Sequence, residues 1–267
     1  MPRTARKKSP TGIYHVVLRG NNKQAIFEDV ADYRKMLAIL KNYRGKCGYE
    51  IYAYCLMNNH IHLLIKEGEE DLGLSFRRIG VAYVLWYNRK YGRCGHLFQD
   101  RYRSKVVDSD RYFMTVLRYI HQNPWKAGIA GSVAAYPWSS YGEYIGGPGP
   151  KICNIEFALS MFSKNEIETG ELNEKKNEAL KLFIEFNSIE NTDQCLDYDE
   201  GKENIRLADS EAAEIIKNVA GLSNPLHIQS LEKRERTEVI RKLKARGLSI
   251  RQIERLTGVS FAVVRRA

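Results

Sequence analysis

The sequence predicts an α+β fold: a ferredoxin-like antiparallel sheet with helices on one face, followed by an all-α C-terminal extension carrying a helix-turn-helix. Three observations predict it. Over the first half of the chain, short β-branched runs alternate with long amphipathic stretches in the order strand, helix, hairpin, helix. Two of those runs are separated only by Asn58-Asn59, a link short enough for a tight hairpin. From Ala208 onward, apolar residues recur at helical spacing in a series of short segments.

The elements follow in order. Ile13 to Leu18 is β-branched and aromatic and ends at Gly20-Asn21-Asn22, a strand and its turn. Val30 to Lys46 carries Tyr33, Met36, Leu37, Leu40 and Tyr43 at helical spacing, and Gly48 stops it. Tyr49 to Met57 is a second strand, and His60 to Lys66 pairs back on it. Leu72 to Tyr91 is a long amphipathic helix with Arg77 and Arg78 on its polar side. Gly92 to Arg103 reads as a loop rich in Gly, aromatic and basic residues. Asp108-Ser109-Asp110 supplies an N-cap for a helix running to Gln122, with Pro124 as its end.

Tyr136-Pro137-Trp138-Ser139-Ser140-Tyr141 packs the end of this domain, and Gly146-Gly147-Pro148-Gly149-Pro150 marks a boundary. The expected organisation is therefore a catalytic domain over 1–147, a connecting helical segment over 148–204 without visible chemistry, and a helical domain over 205–267. In the last, helices are expected over Ala212 to Val219, Leu231 to Ala245 and Ile250 to Leu256, with a further one from Phe261. Ile250, Ile253 and Leu256 form an apolar seam, Gly258 fits the turn, Ser260 caps the following helix, and Val263 and Val264 pack inward.

Composition narrows the class. A chain of 267 residues with 43% hydrophobic content can build a real core. Lys and Arg exceed Asp and Glu by 42 to 32, a formal charge of +10, which favours a polyanionic partner. The five cysteines are scattered without a C-x-x-C pair, which argues against a zinc knuckle or a disulfide framework and suits a reducing cytoplasm. The basic N-terminus lacks a following apolar run, so neither a signal peptide nor a membrane partner is expected.

The chemistry concentrates at two places. In Asn59-His60-Ile61-His62-Leu63-Leu64-Ile65, strand alternation sends His60 and His62 to one face, where both rings can share one divalent ion, Mg2+ or Mn2+. In the helix before Pro124, Tyr119 and Asn123 are one turn apart and share a face. A phenol can serve as nucleophile, and an amide oxygen as a third, hard metal ligand beside the two imidazoles. Such a set leaves coordination positions for a scissile phosphate. Tyr112, seven residues earlier, is the rival nucleophile; Tyr119 is preferred because the amide lies one turn from it. His121 reads as structural, and His15, His96 and His227 show no evident partner.

These residues carry a family resemblance. Tyr14-His15-Val16-Val17-Leu18-Arg19-Gly20-Asn21-Asn22, Met57-Asn58-Asn59-His60-Ile61-His62-Leu63-Leu64, His96-Leu97-Phe98-Gln99-Asp100-Arg101-Tyr102, Tyr119-Ile120-His121-Gln122-Asn123-Pro124 and Trp138-Ser139-Ser140-Tyr141 resemble, in order, the motifs of REP-associated tyrosine transposases, within the single-tyrosine HUH class. The resemblance covers about the first half of the chain. It implies a bacterial, nucleoid-associated enzyme with an HUH nuclease core. It further implies cleavage of single-stranded DNA at hairpins or repeats through a 5′-phosphotyrosine at Tyr119, with His60 and His62 on the metal and Asn123 where the family places a further polar ligand. Members of the wider class include homodimers, so a homodimer is a possible assembly. The competing readings are an HUH replication initiator or relaxase, and a non-catalytic DNA-binding regulator that keeps the fold.

For DNA contact the candidates are Arg19, Arg77, Arg78, Arg101, Arg103 and Lys105, interleaved with Phe98, Tyr102 and Tyr83: basic groups for phosphates and rings for unpaired bases. In the C-terminal domain Arg251, Arg265 and Arg266 are the candidates for duplex DNA.

Overall fold

The computed structural model describes residues 7–162, 172–193, 195–196, 209–248 and 250–267. The chain divides into two compact units, Met1–Tyr198 and Asp199–Ala267.

The first unit is built on four antiparallel strands: β1 (Ile13–Arg19), β2 (Glu50–Met57), β3 (His60–Lys66) and β4 (Arg103–Val106), in the order β2-β3-β1-β4. Between them lie α1 (Val30–Cys47) and α2 (Leu72–Lys90), and α3 (Asp110–Lys126) follows β4. This is the ferredoxin-like α+β arrangement. Asp29 and Asp32 close a reciprocal capping box at the start of α1, and Gly48 ends that helix with φ 72°, a left-handed turn suited to glycine. The stretch expected to be loop up to Arg103 instead passes into β4. Its side chains alternate exposed and half-buried on an edge strand, so the four residues lack the apolar run that announces a strand.

Helices cover both faces of the sheet, not one. Tyr14, Val16 and Leu18 of β1 and Ile61, Leu63 and Ile65 of β3 pack with Met36 and Leu40 of α1 and Phe76, Ile79 and Tyr83 of α2. Tyr52, Cys55 and Leu64 turn the other way, onto Phe113, Val116, Leu117 and Ile120 of α3. A register shift between Ile51 and Ala53 sets Tyr52 and Ala53 both on the α3 side. The physical reason is that β2 is apolar at every position but Glu50 and β3 is apolar without alternation from Leu63 to Ile65, the signature of strands buried on both faces.

Pro124 does not end α3, which continues to Lys126. A proline this near the C-terminus disturbs only the final turn, and the chain leaves with Ile129 N–H donating to the Pro124 carbonyl.

Of the segment after residue 148, expected as a connector, Ile152, Ala158, Leu159, Ala179 and Phe183 join this core. Among the described residues the first unit also holds α4 (Tyr141–Tyr144), α5 (Ile155–Ser160) and α6 (Leu172–Ser188). Phe183 of α6 is fully buried, its ring stacked 4.4 Å from Tyr144 and edge-on to His121 at 5.6 Å. His121 is buried and hydrogen-bonded to Ser140 Oγ at 2.8 Å, a packing role.

The second unit holds α7 (Asp209–Ala220), α8 (Lys233–Ala245), α9 (Ile250–Thr257) and α10 (Phe261–Arg266) around Ile216, Ile240, Leu243, Ile253 and Val264. Val264 is buried, but Val263 is 38% exposed, so only one of the two valines packs inward. Ser260 stands at the start of α10 without a side-chain cap bond; Phe261 N–H donates to Glu254 Oε1 at 2.9 Å instead. A carboxylate one helix earlier thus satisfies the first amide of α10. Among the described residues no helix is long and apolar enough to cross a membrane, and all five cysteines are unpaired.

Candidate active site

The site forms on the α3 face of the sheet. In antiparallel pairing, residues directly opposite one another share a face. β3 places His62 opposite Val17 and Cys55, and His60 opposite Arg19 and Met57. His60 and His62 therefore stand side by side, their rings 4.9 Å apart at 83°. The Asn58-Asn59 turn is held at its base: Gly20 N–H donates to the Asn59 carbonyl, and Ile26 and Phe27 N–H both donate to the Asn58 carbonyl.

α3 brings its own two groups to the pair. The Tyr119 ring lies 5.6 Å from His62 and 5.9 Å from His15, edge-on to both. Asn123 Nδ2 lies 3.2 Å from His62 Nε2. Tyr119 and Asn123 are half-buried. Tyr112 sits elsewhere, with Lys105 Nζ 4.6 Å over its ring, and burial raises its phenol pKa.

The histidine tautomers follow from their partners. Asn59 Nδ2 donates to the Lys23 carbonyl, which turns its Oδ1 to His60 Nδ1 at 2.6 Å. An amide oxygen only accepts, so His60 carries its proton on Nδ1 and its lone pair on Nε2. His62 is fully buried and held neutral, its pKa well below the ordinary value through burial first, then the neighbouring His60 and His15. His15, expected to be without a partner, has one: its Nε2 lies 3.1 Å from His62 Nδ1. Burial, and secondarily Lys105, lower its pKa to about 3. The signal was faint, because His15 lies inside an apolar run and meets His62 only through the β1–β3 register. Asn59 was also missed as an orienting group.

The basic candidates separate by face. Arg19, Arg103 and Lys105 lie opposite His60, Val17 and His15, on the histidine face. Arg77 and Arg101 line a cavity of about 600 Å3 with Phe76, Phe98 and Tyr102, whose floor belongs to the α2 side. Arg78 is paired with Glu70 at 2.8 Å. In the second unit Arg265 and Arg266 are exposed, and the side chain of Arg251 lies outside the described residues.

Residues 9–123 match the family model described as Transposase IS200 like. Over these residues the chain is similar to an IS200-like transposase domain. The enzymes of that family cleave and transfer DNA strands. The domain spans His15, His60, His62 and Tyr119, and Asn123 is its last matched residue. A Haemophilus influenzae protein bearing the name of a REP-associated tyrosine transposase is 26% identical over 149 residues, covering 49% of this chain and 80% of that protein. A solved REP-associated tyrosine transposase bound to a REP hairpin is similar with TM-score 0.48 and 18% identity, over 64% of this chain and 98% of the other. A Deinococcus radiodurans crystal structure named for a transposase has TM-score 0.32 and 19% identity, over 45% of this chain and 97% of that chain.

Proposed function

We propose that this transposase cuts and rejoins single-stranded DNA at hairpin-forming repeats, with Tyr119 as nucleophile and with a divalent metal held by His60, His62 and Asn123. The observation that carries the reading is the convergence of Tyr119 and Asn123 from α3 on His62 from β3. The repeat substrate is carried over from the name of the Haemophilus influenzae relative.

The donor set fits Mg2+ or Mn2+. Among the described residues no cluster of three or more His, Cys, Asp or Glu side chains could hold a metal ion. The set is instead two neutral imidazoles plus one amide, completed by phosphate oxygens and water from the substrate side. The lone pair of His60 stands on Nε2, and the Nε2 of His62 faces Asn123, which can offer its amide oxygen by turning its side chain over. When bound, such a metal polarises the phosphoryl oxygens of the scissile group.

Tyr119 then performs the exchange. Its phenol gives its proton to solvent, its oxygen bonds to phosphorus, and the bond from phosphorus to the 3′ oxygen breaks. The released strand takes up a proton as a free 3′-hydroxyl, and a 5′-phosphotyrosine remains. Attack by a 3′-hydroxyl on that link reverses the step, so joining needs no nucleoside triphosphate. Arg19, Arg103 and Lys105 hold the phosphates along the histidine face. Arg77 and Arg101, with their three rings, take unpaired bases and backbone on the other side of the β4 edge. Arg78 and Arg251 complete the proposed basic set. The second unit contacts duplex DNA through Arg265 and Arg266, and the whole acts in the bacterial cytoplasm where that DNA lies.

The test is direct. Labelled hairpin DNA with a single-stranded flank is incubated with protein and Mn2+ and run on a denaturing gel. A covalent adduct lost in Tyr119→Phe and kept in Tyr112→Phe is the expected result. Loss in Tyr112→Phe instead overturns the nucleophile. No adduct with any divalent metal leaves a DNA-binding regulator that keeps the fold.

A further inference from the structure

His15 stands outside the donor set, beside His62 on the neighbouring strand β1. We propose that His15 is a positioning residue: it accepts the His62 Nδ1–H and thereby keeps the lone pair of His62 on Nε2, turned to Asn123. The role rests on the metal reading given above.

The argument is one of donors and acceptors. A neutral imidazole has one of each. His62 Nε2 faces an amide nitrogen of Asn123 at 3.2 Å, and an amide nitrogen only donates. With Asn123 in this orientation His62 Nε2 accepts, which puts the proton on Nδ1. That proton points at His15 Nε2, 3.1 Å away, which must in turn accept. His15 is then protonated on Nδ1, a fully buried atom without a hydrogen-bond partner among the described residues. The reverse arrangement, with His15 Nε2–H donating, would place a proton on His62 Nε2 and remove the lone pair that a metal needs. Among the described residues His15 Nδ1 has no hydrogen-bond partner, so the His15 ring makes its hydrogen bond through Nε2, to His62.

The choice of an imidazole has a chemical reason. Metal-bound histidines commonly donate their second N–H to a carboxylate or carbonyl, which fixes ring and tautomer. A carboxylate here would add negative charge beneath a site that receives DNA phosphates. A neutral imidazole fixes the tautomer without that charge. The sheet supplies the position: His15 shares the histidine face through the β1–β3 register, and Lys105 lies directly opposite it on β4.

The experiment uses the full chain labelled with 15N. Long-range proton–nitrogen spectra of the metal-free protein are expected to show His62 protonated at Nδ1 and His15 protonated at Nδ1. Mn2+ titration then compares His15→Gln, whose amide oxygen can still accept, with His15→Phe, which fills the space but cannot. Phe is expected to weaken Mn2+ binding by about 10- to 100-fold, and Gln to stay within about 3-fold of the unaltered chain. Equal Mn2+ affinity in folded His15→Phe overturns the proposal. So does a spectrum of the unaltered chain with His62 protonated at Nε2, which decides the matter even if His15→Phe fails to fold. Absence of Mn2+ binding by the unaltered chain overturns the metal reading instead, so the two failures are distinguishable.

Discussion

Asn123 Nδ2 lies 3.2 Å from His62 Nε2, tying the helix that carries the candidate nucleophile to the strand that carries the candidate ligands. Removing the amide should therefore act on metal and chemistry together. Asn123→Ala is expected to lower Mn2+ affinity and adduct formation by at least about 10-fold, whereas Asn123→Asp retains both. Titration of Mn2+ alongside the gel assay checks this. Full adduct formation by Asn123→Ala would remove the amide from the donor set.

Gly20 ends β1 where the chain turns under the Asn58-Asn59 hairpin. A Cβ there would lie 2.1 Å from the Gln24 carbonyl oxygen and 3.0 Å from Ile26. The first neighbour is backbone and cannot swing aside. Gly20→Ala is expected to destabilise the protein by about 1–3 kcal/mol and to lower adduct formation by disturbing the loop that holds His60. Urea unfolding measures the first effect and the gel the second.

His121 makes acid stability predictable. Burial lowers its pKa to about 3, against an ordinary 6.5 in the unfolded chain. Below pH 6.5 the unfolded state binds a proton that the folded state refuses. Its contribution is thus full above pH 6.5 and is lost as pH falls toward 3, at up to about 1.4 kcal/mol per pH unit. Replacement by Gln, which keeps a polar group near Ser140, is expected to flatten the curve of unfolding free energy against pH in that window. An unchanged slope would mean that His121 is not the neutral buried group described here.

Phe183 tests whether the segment after residue 148 belongs to the catalytic unit. Its ring is fully buried against Tyr144, Tyr141 and His121. Phe183→Ala is expected to cost about 3–5 kcal/mol, seen as a lower urea midpoint. A segment that merely connects would show almost none of that loss.

Arg103 and Lys105 share the histidine face and are exposed. If each neutralises one phosphate, replacing either by Ala should lower the slope of log binding constant against log salt by about 0.7 for single-stranded DNA. Arg265→Ala should leave that slope untouched when the DNA has no duplex part. Filter binding over a salt series separates the two.

Local pattern carried much of this fold. α1, α2, the Asn58-Asn59 hairpin and the start of α3 were all legible, because periodicity, caps and short turns are written in adjacent residues. What escaped depended on distant chain. β4 has only four residues with mixed polarity and becomes a strand only because β1 offers its edge. α3 outlasts Pro124 because only one turn remains to be disturbed. The second valine of Val263-Val264 is buried and the first is not, a choice made by how α10 seats on its neighbours.

The candidate site divides the same way. By itself the sequence determined that His60 and His62 share a face and that Tyr119 and Asn123 share another, since strand and helix geometry are fixed over a few residues. Only the tertiary structure decided that the two faces meet, that Tyr119 and not Tyr112 lies beside the imidazoles, and that His15 stands beside His62. Those are matters of register and of packing across the sheet, between positions as many as 104 residues apart such as His15 and Tyr119, and no local spacing encodes them.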